Sequence, residues 1–150
     1  MPVDGSSIAE QVLPHVVYLA TGLGMVVDLV SVTPSRDEFH RHLLNIPGLY
    51  KLSSEDYLTY ANAEAAEYLG QLKENLQRQG VSSVEEHLLQ GDTAASIIDI
   101  AAATDDRLVA MTTHGRSGLG RWVLGSVAER VVRHSGDPVL LIRATETPAA

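Results

Sequence analysis

Apolar and polar positions along this chain follow two periods, and the switches between them mark out its elements. Val26-Val27-Asp28-Leu29-Val30-Ser31-Val32 is a β-branched run that stops at Thr33-Pro34 and reads as a buried strand. Arg107 to Thr113 is a second such run, and Asp137 to Arg143, bounded by Gly136, is a third. Val81 to Leu89 alternates only in part and reads as a fourth, weaker strand. Helical spacing fills the intervals. Ser6 or Ser7 can cap a helix carrying Ile8, Val12, Val16 and Leu19 on one face, with Gly22 near its end. Glu55 to about Gln79 places Tyr57, Tyr60, Ala61, Ala65, Tyr68, Leu69, Leu72 and Leu76 at helical spacings, and Gly80 is its natural stop. Asp92 or Thr93 opens a short helix through Ile97, Ile98 and Ile100, and Trp122 to His134 reads as the last helix. Residues 34–52, with Pro34, Pro47 and Gly48, read as one extended loop with room for a helical turn.

Strands alternating with helices predict a mostly parallel sheet covered on both faces, a three-layer α/β/α sandwich in a single domain spanning residues 1–150. The start of the chain fits this pattern imperfectly. Met1-Pro2-Val3-Asp4-Gly5-Ser6 reads as the last half of a strand turning into a helix, where an alternating fold begins with a whole strand. The expectation is a truncated first strand, with either the true start upstream of Met1 or the gene product itself truncated.

Composition narrows the function classes. The net charge is −8, but it is unevenly spread: residues 1–106 hold 5 Lys/Arg against 16 Asp/Glu, and residues 107–143 hold 6 Arg against 2 acids. An acidic chain repels a nucleic-acid backbone, while a local cationic segment suits a small anion. The absence of cysteine removes disulfides, zinc–thiolate sites and thiol catalysis, and fits a cytoplasmic setting. No apolar run reaches the roughly 20 residues that cross a bilayer, so neither membrane nor nucleic acid is an expected partner. His40 and His42 form an H-x-H beside Arg41, but no third ligand type stands near them.

The cationic segment is also the densest in glycine. From Met111 and Thr112 it runs Thr113-His114-Gly115-Arg116-Ser117-Gly118-Leu119-Gly120-Arg121-Trp122-Val123-Leu124-Gly125-Ser126, from the end of a buried strand towards a helix. In open α/β sheets ligands bind beyond the carboxyl ends of strands. Glycines there let backbone N–H groups approach phosphate oxygens with no Cβ in the way. Gly125 and Ser126 fall inside the helical pattern; read instead as a helix start, their N–H groups meet an anion at the positive end of a helix dipole. The Ser126 hydroxyl can donate to a phosphate or ligate Mg²⁺. There is no GxxxxGK[ST] and no GxGxxG, so the common phosphate-loop fingerprints do not apply.

The stretch resembles the signature of the universal stress protein family, whose ATP-binding members carry Gly-x₂-Gly-x₉-Gly-(Ser/Thr). Gly115, then nine residues, then Gly125-Ser126 matches its last two parts, and Thr112 stands where the first glycine falls. Pro2-x-Asp4-Gly5-Ser6, Gly91 before a short helix, and the closing Pro138-Val139-Leu140-Leu141 are similar to the family as well, so the likeness covers nearly the whole chain. The resemblance implies a five-stranded parallel sheet of order 3-2-1-4-5, the adenine nucleotide alpha hydrolase-like fold. It implies an adenine pocket at Asp4 and Val32 with Pro2 beside them. Met111 and Thr112 would touch the nucleotide, Thr112 by its backbone at the ribose or α-phosphate, and the phosphates would lie on Gly115, Gly125, Ser126 and Val127 with Arg116 screening their charge. It implies ATP, or AMP or a cyclic nucleotide, with Mg²⁺ as a companion ion. It also implies a homodimer through the last strand, Val139–Ile142, and a signalling partner the sequence does not identify.

Two other readings stay open. One is a slow ATPase or self-phosphorylating protein; no carboxylate lies in or beside the loop to position a water, Asp4 being the one candidate. The other is a nucleotide-free interaction module whose loop serves its dimer, favoured by Thr112. The leading expectation is a stress-response module regulated by adenine nucleotide.

Overall fold

The computed structural model describes residues 1–43, 53–103, 105–113 and 124–144. Among these residues stand four strands and five α-helices, each strand separated from the next by one or two helices. They are β1 (Val27–Thr33), β2 (Val84–Gln90), β3 (Val109–Thr112) and β4 (Val139–Ile142), with α1 (Leu13–Leu23), α2 (Arg36–Leu43), α3 (Ser54–Arg78), α4 (Thr93–Ala102) and α5 (Ser126–His134). A short 3₁₀ turn, Ala9–Val12, leads into α1. β1 pairs with β2 and β3 with β4, each in parallel. The parallel α/β architecture expected from the sequence is present.

The start of the chain lies against the first pair. Pro2 bridges Val30 in parallel, Val30 N–H donates to the Met1 carbonyl at 2.9 Å, and Val3 N–H donates to the Val30 carbonyl at 2.8 Å. The first strand of the expected five is thus this one bridge, on the side of β1 away from β2. Side chains alternate across the sheet into two cores. Met1, Val3, Leu29 and Ala110 share one with α1 and α3, while Val109 and Met111 share the other with α4 and α5. Leu29, Leu69, Leu76, Val12 and Val131 are fully buried.

Local chemistry sets the boundaries. Pro14 sits in the first turn of α1, where its missing N–H costs nothing. Gly24 closes that helix at φ +68°, in the left-handed region that suits glycine. The Ser53 hydroxyl caps α3 by accepting from Asp56 N–H, and the Asp92 carboxylate caps α4 by accepting from Ala95 N–H at 2.8 Å.

Two expectations are corrected. Residues 36–43, assigned to the extended loop, form α2. The cause is a capping box: the Ser35 hydroxyl accepts from Glu38 N–H, and the Glu38 carboxylate accepts from Ser35 N–H at 2.8 Å. The last helix begins at Ser126 rather than Trp122, because Gly125 is extended at ψ 149°. Pro47 and Gly48 lie outside the described residues.

Candidate functional site

The carboxyl ends of the strands meet on one edge. β1 ends at the buried Thr33, whose hydroxyl donates to Asn62 Oδ1 of α3 at 2.7 Å and whose carbonyl accepts from Gly91 N–H just past β2. The N-terminal segment ends at Asp4, one residue past its last bond to β1. Asp4 Oδ1 accepts from the Ser6 N–H and hydroxyl at 3.0 and 2.6 Å, and Gly5 turns the chain between them at φ +79°. The Ser6 hydroxyl in turn accepts from Ala9 N–H, so this aspartate holds the turn that starts the 3₁₀ segment.

β3 ends at Thr112, buried like the rest of its strand. Thr113 N–H donates to the Ile142 carbonyl, and the Thr113 hydroxyl accepts from Ala144 N–H. The chain leaves this edge at Thr113 and returns to it at Gly125, whose N–H donates to the Thr113 carbonyl at 2.9 Å. Ser126 then opens α5, exposed at its first position. The first N–H groups of an α-helix have no partner inside the helix, so Ser126 and Val127 present donors at this edge.

Among the sequence-predicted residues, Met111, Thr112, Gly125, Ser126 and Val127 therefore gather at the end of β3. Pro2, Asp4 and the half-buried Val32 lie at the ends of the neighbouring segment and strand. Gly115 and Arg116 lie outside the described residues, as do His114, Gly118, Gly120, Arg121 and Trp122. The Gly125 N–H, expected to face a phosphate, is committed to Thr113.

Two contacts at this edge escaped the sequence reading. Arg130, one turn into α5, donates to Asp92 Oδ2 at 2.6 Å and ties the helix to the cap of α4. That hydrogen bond, with the Ala95 N–H, holds the Asp92 carboxyl below the usual range. The Thr33–Asn62 bond is the other. Asp92 was legible as a cap, but its partner stands 38 residues away, and no local pattern pairs them. The tyrosines of α3 divide between core and surface, with Tyr68 packed against the core. Tyr60 is exposed, Tyr57 stacks on Phe39 at 4.3 Å, and Tyr68 donates to Glu10 Oε1 at 3.0 Å. Burial first, then the Glu10 carboxylate, push the Tyr68 phenol up.

At the opposite edge, Asp28, Glu85 and His87 bring three ligand-type atoms within 4.8 Å. His87 Nε2 already lies 2.8 Å from Asp28 Oδ1, and Arg107 lies 3.2 Å from Asp28 Oδ2. The Asp28 carboxylate is therefore already partnered, by an ion pair to Arg107 and a hydrogen bond with His87.

Parallel strands, helices on both faces, and a loop that returns to a strand end and opens a helix define the class: a doubly wound α/β protein with its candidate site at the carboxyl edge. The sequence profile described as "Universal stress protein family" matches residues 1–143, and the chain belongs to that family. The universal stress protein MJ0531 of Methanocaldococcus jannaschii is 29% identical over 148 residues, covering 95% of this chain and 79% of that protein. Universal stress protein MJ0577 of the same organism is 30% identical over 149 residues, covering 95% and 91%. The solved structure of MJ0577 superposes with a TM-score of 0.79 at 25% identity, over 97% of this chain and 94% of that one. The universal stress protein from Archaeoglobus fulgidus in complex with dAMP superposes with a TM-score of 0.59 at 25% identity, over 94% and 93%. Among the described residues no helix is long and apolar enough to cross a membrane.

Proposed function

We propose that this chain binds an adenine nucleotide, ATP first among them, at the carboxyl edge of its sheet, and works as a nucleotide-regulated interaction module in the stress response. The observation that carries this reading is the start of α5. Gly125 is pinned to Thr113 at the end of β3, and Ser126 opens the helix beside it. A helix of nine residues begun there aims its free N–H groups and the positive end of its dipole at one point. Ser126 and Val127 N–H hold a phosphate, and the Ser126 hydroxyl donates to it or ligates Mg²⁺. Gly115 and Arg116 complete the cradle from the loop. Asp4, Pro2 and Val32 receive the adenosine end. Thr112 does not block the site in this reading, because it is 5% exposed and its side chain is enclosed.

The dAMP complex of the Archaeoglobus fulgidus relative supports an adenine nucleotide as the ligand class. A regulated dimer fits the same reading. β4 pairs with β3 on one side only among the described residues, and all four of its residues are half-buried, as for a strand that a second copy covers. Nucleotide then biases the dimer or the choice of signalling partner in the cytoplasm.

The test is mass spectrometry of small molecules released from the purified protein, beside a Gly125→Asp variant. Gly125 has φ −59°, a backbone any residue adopts, and aspartate is a favoured helix cap. The variant therefore folds while placing a carboxylate on the donors a phosphate needs. Adenine nucleotide recovered from the wild type and lost from the variant is the expected result. No nucleotide from the wild type, with no ATP binding at millimolar concentration, overturns the reading and leaves a module that acts by protein contacts.

A further inference from the structure

A parallel strand covered on both faces is largely apolar, and β1 carries a single charged residue, Asp28, between Val27 and Leu29. Val27 and Leu29 point into the core shared with α1 and α3, so Asp28 points to the other face of the sheet. β2 brings two more ligand-type side chains to that face. Asp28 and Glu85 are partners in the parallel register, and His87 follows two residues further along the same strand. Glu86, between them, takes the opposite face, where Lys73 of α3 holds it at 2.9 Å. His87 Nε2 stands 2.8 Å from Asp28 Oδ1 and 4.0 Å from Glu85 Oε2, and the three ligand atoms all lie within 4.8 Å of one another.

We propose that this triad is a site for a divalent transition-metal ion of the zinc class, with His87 Nε2, Asp28 Oδ1 and Glu85 Oε2 as its protein ligands and water completing the shell. Spacing is the first argument. A tetrahedral ion about 2.0–2.1 Å from each nitrogen and oxygen separates neighbouring ligand atoms by about 3.3 Å. The observed 2.8 and 4.0 Å bracket that value, so side-chain torsions alone close the shell and the strand register stays as it is. Glu85, 63% exposed, has the freedom to move in, while Asp28 and His87, 22% and 31% exposed, already hold each other. The second argument is how the carboxylate is held. Arg107 lies 3.2 Å from Asp28 Oδ2, which orients the carboxylate and leaves Oδ1 towards the imidazole, as an outer-shell partner does in metal sites. An ionised carboxylate only accepts, so Nε2 carries the proton of the His87–Asp28 contact. The ion takes the place of that proton, and the neutral ring keeps one on Nδ1. Asp28 and Glu85 together outweigh the Arg107 charge, so a cation is welcome there. One imidazole nitrogen beside two carboxylate oxygens selects Zn²⁺ and its first-row neighbours over Mg²⁺ and Ca²⁺, which take all-oxygen shells. The ion clamps β1 to β2 at the edge away from Ser126, so the site stands or falls independently of nucleotide binding.

Zn²⁺ titrated calorimetrically into the full chain, with no nucleotide added, is expected to bind saturably at one ion per chain and to raise the melting temperature. Nitrogen NMR of the imidazole is expected to show His87 passing from its Nε2–H to its Nδ1–H form as the ion binds. His87→Gln, which keeps a donor for Asp28, is expected to abolish the binding. Glu85→Gln, at an exposed position, is expected to weaken it by about tenfold or more. Glu86→Gln on the opposite face, and the double variant His40→Gln, His42→Gln, are expected to leave it unchanged. Binding that survives His87→Gln, that is lost with His40 and His42, or that falls equally in Glu86→Gln and Glu85→Gln overturns the proposal. So does a His87 ring that stays in its Nε2–H form, or no binding at millimolar Zn²⁺.

Discussion

At Asp92 and Arg130 a single contact joins a helix cap to the candidate site. Asp92 caps α4 through Ala95 N–H and holds Arg130 of α5 with its second oxygen. Both side chains are about half exposed, so the ion pair itself contributes little, and the cap carries most of the effect. Asp92→Ala is expected to lower stability by about 1 kcal/mol in chemical denaturation, the usual cost of a lost cap. The Asp92 carboxyl is held below its ordinary range, so its contribution is present above that range and fades as pH falls through the folded value. The stability difference between wild type and Asp92→Asn should accordingly narrow on acidification. A difference that grows towards low pH would contradict the assignment. Leu76, fully buried in α3, tests the core instead: Leu76→Ala is expected to cost about 2–5 kcal/mol.

Elements differ in how plainly their sequences announced them. β1, β3 and β4 were legible from apolar runs, with ends within about two residues, because each is flanked by Gly, Pro or Asp, whereas β2 was read only from a partial alternation and begins three residues later than expected. α3 was legible at both ends, from helical spacing that starts at Glu55 and from Gly80. α2 was missed although its signal was present: Ser35-x-x-Glu38 is a capping box, outweighed in the reading by Pro34, Pro47 and Gly48. Ser35→Ala is expected to loosen α2 alone, seen as faster amide exchange at Phe39 with little change in global melting. The start of α5 was ambiguous because Val123, Val127 and Val131 keep helical spacing through Gly125. Periodicity does not see that Gly125 N–H is drawn off to Thr113, a contact made only in the folded sheet. At the site, Asp4 and Gly125-Ser126 were legible from motif and strand-end position. The Thr33–Asn62 and Asp92–Arg130 pairs were not, since each joins elements far apart in sequence.

For the whole molecule, the two edges of the sheet carry separate consequences. At the amino edge, the Met1 ammonium is charged below about pH 8 in the unfolded chain and only below about 5 in the fold. Between those values the unfolded chain binds the extra proton, so this group makes stability rise with pH from 5 to 8. The Asp28 and Arg107 charges act on it in opposite senses, the first opposing the fall and the second adding to it. The comparison that isolates it is with the chain acetylated at the Met1 nitrogen, whose stability advantage should shrink across that interval. An advantage that is constant with pH would contradict the buried charge.

At the carboxyl edge, binding is the central claim, and it is tested most directly by titrating ATP with Mg²⁺ into isotopically labelled protein while following the backbone amides by NMR. The account predicts saturable shifts at Ser126 and Val127, at Asp4 and at Val32, all abolished by Gly125→Asp. Unmoved amides at millimolar ATP, or shifts confined to Val27, Asp28 and Val109 at the opposite edge, would contradict it.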